Sequence, residues 1–251
     1  VRIPRAVTYR IRQLLDEWTP PAIRDRRFFT WLPARLFMGR DAELFLDFKD
    51  RALGLTEEEF SAVYRAVHHV VIQRETDLTR GSLDAVLRSL LGETVLEVGC
   101  GGGYLANKMS QTHRTTAVDI YVDEKVPAKY PSVEFIQAPI TQLPFPDASF
   151  DTVVSTHVLE HVQDITRAMT ELRRVCKRRL VIVVPRQRPY RYTFDLHLHF
   201  FPYEYTLIAA VNPLGPYTCR DLGGDWVYVE EVVAPRESDE VDRANAPARG
   251  S

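Results

Sequence analysis

The chain has 251 residues, 45% of them hydrophobic and 26% charged, with a formal net charge of -2. That is room for one large domain, or one domain with a sizeable extension, in the composition of an ordinary globular enzyme. The charge balance gives no bias toward nucleic acid. Three cysteines without a CxxC pair argue against a disulfide framework or zinc site and suit a reducing cytosol, and no apolar run approaches the ~20 residues of a membrane span.

Charge is nevertheless uneven. Residues 1–40 carry nine arginines against three acids, and residues 221–251 carry eight acids against three arginines. Arg2, Arg5, Arg10 and Arg12 are followed by no apolar run of the kind a signal peptide needs. The basic arm reads as a solvated surface, or as a surface that meets an acidic acceptor or a partner subunit.

The first 55 residues are hard to read. Thr19-Pro20-Pro21 breaks a short helical start from an arginine- and aromatic-rich stretch running from Arg24 to Phe37. Thr56 and Glu59 have capping-box spacing and open a helix with Phe60, Val63, Val67, Val70 and Val71 on one face. A second helix carries Leu83, Val86, Leu87, Leu90 and Leu91, with Ser82 as its N-cap and Gly92 as its stop. Residues 1–81 are therefore expected to form a helical extension over the acceptor side, followed by a domain over 82–236 and an acidic tail over 237–251.

From residue 94 the pattern alternates. Short apolar strands are expected over 94–98, 115–119, 133–136, 150–155 and 180–184, with helices over 103–110 and 165–176. Fully apolar strands alternating with helices imply a parallel sheet covered on both faces. After a helix over 203–211, strands over 217–221 and 226–233 are joined by Gly223-Gly224, a turn short enough to force an antiparallel pair. The expected fold is α/β: a Rossmann-like, seven-stranded, mostly parallel sheet with a terminal antiparallel hairpin.

Glu97-Val98-Gly99-Cys100-Gly101-Gly102-Gly103 leaves the first strand and opens a helix. Glycines there allow a tight turn and close approach of a ligand to the backbone. A dinucleotide fingerprint starting at Gly99 needs glycine at position 104, where this chain has Tyr104, and there is no G-K-[ST] of a P-loop. Glu97, two residues before the first glycine, suits a cationic ligand and would oppose a pyrophosphate. Asp119 ends the second strand 22 residues on, where an acid bonds ribose hydroxyls in such folds. S-adenosylmethionine, with an ammonium and a sulfonium but no phosphate, fits these residues better than NAD.

Leu143-Pro144-Phe145-Pro146-Asp147-Ala148-Ser149-Phe150-Asp151 and Leu159-Glu160-His161-Val162 complete the pattern. The stretch from Thr94 to Pro185 resembles the class I adenosylmethionine-dependent methyltransferases, in the group carrying LPFPD-x-SFD and LEHV. The resemblance implies cofactor contacts at Glu97, Gly99, Gly101, Gly103, Asp119 and His157. Members often place an acid before LPF to bind the adenine amino group. Pro139 stands there, which leaves the adenine to the backbone around Ile140.

Methyl transfer to a hydroxyl requires the proton to be removed, and histidine is the natural base. The histidine of LEHV often faces the acceptor in related enzymes, so the resemblance assigns His161 as general base, with His199 the runner-up and His157 nearer the cofactor. His197 and His199 lie in a segment similar to one that walls the acceptor pocket. Asp195, His197 and His199 alternate, so in an extended segment they share one face and could ligate a divalent ion such as magnesium. His68, His69 and His113 read as surface or structural. The place of a [DNS]-P-P-[YFW] amide-nitrogen motif reads Ser155-Thr156-His157-Val158, and no cysteine follows a proline as a cytosine C5 enzyme requires. Arg186, Arg188, Tyr190, Arg191, Tyr192, Phe194, Phe200 and Phe201 could stack on and donate to a sugar. With Arg74–Leu78 they look similar to bacterial enzymes that methylate polysaccharides or glycosylated metabolites, the mycobacterial methylmannose and methylglucose polysaccharide enzymes among them. The expected acceptor is thus a small molecule or oligosaccharide, with no nucleic acid or membrane partner and with a homodimer as one assembly. The alternatives are a lipid, quinone or polyketide hydroxyl, and a non-catalytic binding subunit with a methyltransferase-like fold.

Overall fold

The computed structural model describes residues 18–71, 75–192 and 195–232, with Arg10 and Leu14. The expected tail over 237–251, Arg74 and Phe194 lie outside the described residues, as do the side chains of His68 and His69.

The sheet has seven strands: β1 (Thr94–Val98), β2 (Arg114–Asp119), β3 (Glu134–Gln137), β4 (Phe150–Thr156), β5 (Cys176–Pro185), β6 (Tyr217–Asp221) and β7 (Asp225–Glu231). Their order is β3-β2-β1-β4-β5-β7-β6. The first five are parallel, and β7 runs antiparallel between β5 and β6.

Side-chain alternation sorts β5 onto two cores. Leu180, Ile182 and Val184 join Leu96, Val98 and Val153 under helices α8 (Ile165–Val175) and α9 (Glu204–Val211), through Met169, Leu172 and Leu207. Val181 and Val183 turn the other way, with Val95 and Val154, under α5 (Arg80–Ser89) and α6 (Tyr104–Met109), through Val86, Leu105 and Met109. A short α7 (Lys125–Lys129), not foreseen, follows β2. β5 starts at Cys176, directly where α8 ends, four residues earlier than its apolar run suggested.

Ahead of the sheet lie α1 (Pro21–Arg24), α2 (Arg27–Met38), α3 (Ala42–Ala52) and α4 (Glu57–Val71). Helix α2 holds Pro33 in its interior, which masks it in a sequence reading. The Thr56–Glu59 capping box forms, with Glu59 Oε2 accepting from Thr56 N (2.9 Å) and Thr56 Oγ1 from Glu59 N (3.3 Å). Ser82 is not the cap of α5. Thr79 is, accepting from Ser82 N at 3.0 Å, while the Ser82 hydroxyl goes to Asp225. Phe45, Phe48 and Phe60 pack with Leu196 from the segment after β5, which joins these helices to the sheet unit. No helix among the described residues is long and apolar enough to cross a membrane.

Candidate active site

The glycine loop stands at the carboxyl end of β1. Gly99, Gly101 and Gly103 all have positive φ (83°, 48° and 74°). Gly99 is the least replaceable: an added Cβ would lie 2.0 Å from Val158 Cγ2. The loop is tied to the end of β2, where Asp119 Oδ2 accepts from Gly101 N at 2.7 Å and Oδ1 from Tyr121 N at 3.2 Å. Ala138 N donates to the Asp119 carbonyl (2.9 Å), which draws the chain leading to Ile140 beside it. Ile140 itself packs against the main core.

Glu97 is 2% exposed, and its Oε2 has no hydrogen-bond partner. Burial, with Asp119 nearby, pushes its carboxyl well above the ordinary range. An orphaned, buried acceptor of this kind calls for a donor, preferably a cation. Gly101 faces open space, so a ligand can approach the backbone. The residues present fit a ligand with an ammonium group and a ribose.

The second half of the site follows β4. Val158, Leu159 and Glu160 lead into His161, whose Nδ1 donates to the Leu196 carbonyl at 3.1 Å. A carbonyl only accepts, so the lone pair of a neutral His161 ring is on Nε2. The His197 ring stands edge-on at 4.6 Å and Tyr64 of α4 edge-on at 5.9 Å. The Tyr64 hydroxyl is buried without a partner. His197 is held by Gln187 Oε1 at 2.7 Å, and burial lowers its pKa to about 4, so it is neutral at physiological pH. Glu160, His161 and His197 bring ligating atoms within 4.8 Å of one another and form the one such group among the described residues that could hold a metal ion.

The expected ion set of Asp195, His197 and His199 does not form that way. Asp195 approaches His197 at 3.4 Å, but His199 Nε2 donates to the Val162 carbonyl at 2.8 Å. Burial lowers the His199 pKa. Two imidazoles and one carboxylate also suit borderline cations better than magnesium, which favours oxygen.

His157 follows β4 directly. It has a left-handed φ of 55°. Its Nδ1 lies 3.3 Å from Glu160 Oε1 and its Nε2 3.4 Å from Asp225 Oδ1. Burial opposes its charge, but the two carboxylates outweigh burial and raise its pKa. Glu160 is lowered against its own burial, with His157 as the main cause. The ring thus lies between two buried carboxylates, at ion-pair distance from each.

Several site residues escaped sequence reasoning. Lys49 of α3 donates to the Tyr190 carbonyl and lies 4.1 Å over the Phe200 ring, and burial brings its pKa down to about 8. Arg24 lies 4.2 Å over Tyr190 and donates to the Pro189 carbonyl at 2.8 Å. Gln163 Nε2 donates to the carbonyls of Ala52 (2.6 Å) and Leu55 (2.9 Å). No motif marks these positions, because each partner is more than 100 residues away in the chain.

Residues 96–184 match the family model described as a methyltransferase domain. A probable S-adenosylmethionine-dependent methyltransferase of Mycobacterium tuberculosis is 35% identical over 134 residues, 52% of this chain and 44% of the relative. Another from Mycolicibacterium smegmatis is 32% identical over 173 residues, 67% of this chain and 56% of its own. The chain therefore spans about half the length of these curated relatives. A 2-phytyl-1,4-naphtoquinone methyltransferase of Trichormus variabilis is 33% identical over 98 residues, covering 34% of this chain and 43% of that one. Among solved structures, a Burkholderia thailandensis 1,6-didemethyltoxoflavin-N1-methyltransferase with bound S-adenosylhomocysteine has a TM-score of 0.56 at 19% identity, over 72% of this chain and 92% of that one. Over its glycine loop, LPFPD and LEHV segments, this chain belongs to the class I adenosylmethionine-dependent methyltransferases.

Proposed function

We propose that this class I methyltransferase chain moves the methyl group of S-adenosylmethionine to a hydroxyl of a saccharide or glycosylated metabolite, with His161 taking the hydroxyl proton. The observation that carries the proposal is the His161 ring. Its Nδ1 is spent on the Leu196 carbonyl, which leaves Nε2 as acceptor at the sheet edge where ligands bind in such folds.

The bound cofactor supplies a methyl group on a sulfonium, which departs as a neutral thioether. Glu97 and Asp119 would hold its ammonium and ribose, and the positive-φ glycines would keep the backbone clear. His161 accepts the proton as the new C–O bond forms. Glu160, buried and ionised beside it, stabilises the imidazolium so produced. Tyr64 and the N-terminal helices keep water from the acceptor. Tyr190, Phe200 and His197 form a run of rings with centroids 6.3–6.4 Å apart, flanked by Lys49 and Arg24, which supports a sugar acceptor.

A quinone or polyketide hydroxyl is the second reading. It is supported by the apolar packing of Phe48 and Phe60 behind Tyr64.

A labelled-methyl assay across saccharide, quinone and polyketide acceptors separates the two. On the acceptor that turns over, His161→Ala lowers kcat by about 10²–10⁴-fold and leaves cofactor Kd within about twofold, since the base acts only on the transition state. Near-normal turnover in His161→Ala with complete loss in His199→Ala would move the base to the other loop.

A further inference from the structure

Three acceptors converge where the LEHV segment meets the chain after β5. Glu160 is 0% exposed, and neither of its carboxylate oxygens has a hydrogen-bond partner, although His157 Nδ1 comes within 3.3 Å of Oε1. His161 spends its Nδ1 proton on the Leu196 carbonyl at 3.1 Å, and His197 spends its own on Gln187 Oε1 at 2.7 Å. Each neutral ring is left with a lone pair on Nε2. The ligating atoms of Glu160, His161 and His197 lie within 4.8 Å of one another.

A ring that donates one N–H to an oxygen and keeps the other nitrogen free is the arrangement that holds histidine on a metal ion. Both rings have it. Asp195 Oδ2, 3.4 Å from His197 Nδ1, places further negative charge behind the second ring. A water molecule carries two hydrogens and could satisfy two of the three acceptors, whereas a divalent cation satisfies all three. Glu160 and His197 are buried and His161 is half-buried, so the cluster is shielded but not sealed.

We infer that Glu160, His161 and His197 form a binding site for a borderline divalent cation of the zinc class. Two imidazoles and one carboxylate leave the fourth tetrahedral position to water or another small ligand. Ligand atoms about 2.1 Å from a tetrahedral ion stand about 3.4 Å from one another, so side-chain rotation of about 1 Å closes the set. Magnesium and calcium, which prefer oxygen, fit it poorly. The consequence for catalysis rests on the reading that His161 is the base. A bound cation takes the Nε2 pair that would receive the hydroxyl proton, so metal binding and methyl transfer exclude each other.

The test is titration of the chelator-treated full chain with cobalt(II), whose visible absorption reports coordination by the protein. The bands should grow to one equivalent, and zinc should abolish them where magnesium does not. Gln187→Ala removes the acceptor for His197 Nδ1 and should weaken cobalt binding by about 10–100-fold. His197→Ala should weaken it at least as much, and both variants should bind S-adenosylhomocysteine as before. If neither variant folds, the parent decides: zinc should protect His161 from carbethoxylation by diethyl pyrocarbonate, read by mass spectrometry of the peptide. A parent without bands overturns the proposal. So do bands that persist in His197→Ala, which put the ion elsewhere, or a His161 that reacts equally with and without zinc. The labelled-methyl assay tests the catalytic consequence separately. Zinc that binds through these residues and leaves turnover unchanged upholds the metal site and removes His161 as the base.

Discussion

Replacing His157 with glutamine tests the buried charge network directly. The side chain is 14% exposed, and its ring lies within 3.4 Å of both Glu160 and Asp225, which are fully buried. Asp225 is held in turn by Ser82 Oγ at 2.8 Å and Thr79 N at 3.1 Å. Glutamine keeps some hydrogen bonding but removes the positive charge that His157 places between two buried carboxylates. Breaking a buried pair by deleting one partner costs about 3–5 kcal/mol, a large share of the roughly 5–15 kcal/mol that holds a domain together. The pH dependence has a definite sign. The folded pKa of His157 is raised, so its contribution is complete below the unfolded histidine value of about 6.5 and fades as pH rises through its folded value. The folded pKa of Glu160 is lowered, so its contribution is complete above the unfolded value of about 4.3 and fades as pH falls. Urea unfolding of parent and His157→Gln across this range should therefore show the largest difference between about pH 5 and 6.5 and a shrinking one toward pH 9. A difference below about 1 kcal/mol, or one that stays flat with pH, would refute the charged reading of the network.

Asp119→Ala should weaken S-adenosylhomocysteine binding by about tenfold or more, measured by calorimetry, and unimpaired binding would remove the acid from the cofactor site. NAD, titrated into the parent chain, should give no heat. Gly99→Ala places a methyl 2.0 Å from Val158 Cγ2 at a φ of 83°, so it should abolish cofactor binding or lower stability by about 1–3 kcal/mol. Gly99→Ala together with Val158→Ala should recover part of the loss, because the clash is with that one side chain.

The pairing of the glycine loop with the acid ending β2 was legible because it is local. Glu97, the glycines and Asp119 lie within 23 residues, and their spacing follows from one strand, one turn and the next strand. The strand spans 94–98 and 217–221 were read at their observed limits. Misreadings share a cause in tertiary partners. Ser82 has the chemistry of an N-cap, but Asp225 claims its hydroxyl from 143 residues away and Thr79 takes the cap. No local pattern shows that Asp225, at the start of β7, sets an acid 3.4 Å from the His157 ring. Helix α2 hid behind Pro33 and an apolar face that looks outward.

The proposed acceptor half is assembled from parts distant in sequence, and the LEHV segment is where they meet. The Glu160 carbonyl accepts from Leu198 N (2.7 Å) and His199 N (3.0 Å), fixing the wall after β5. Gln163 reaches the carbonyls that end α3, fixing the N-terminal helices. The Glu160 side chain faces His157, which leads through Asp225 to β7 and α5. One five-residue segment, Leu159 to Gln163, thus ties together the wall after β5, the N-terminal helices and β7. On the proposed reading, changes in the N-terminal helices or in the described residues after β5 therefore alter the acceptor side while the glycine loop and Asp119 stay in place. That separation explains why a sequence can declare its cofactor through a short motif and leave its acceptor to be found by geometry and assay.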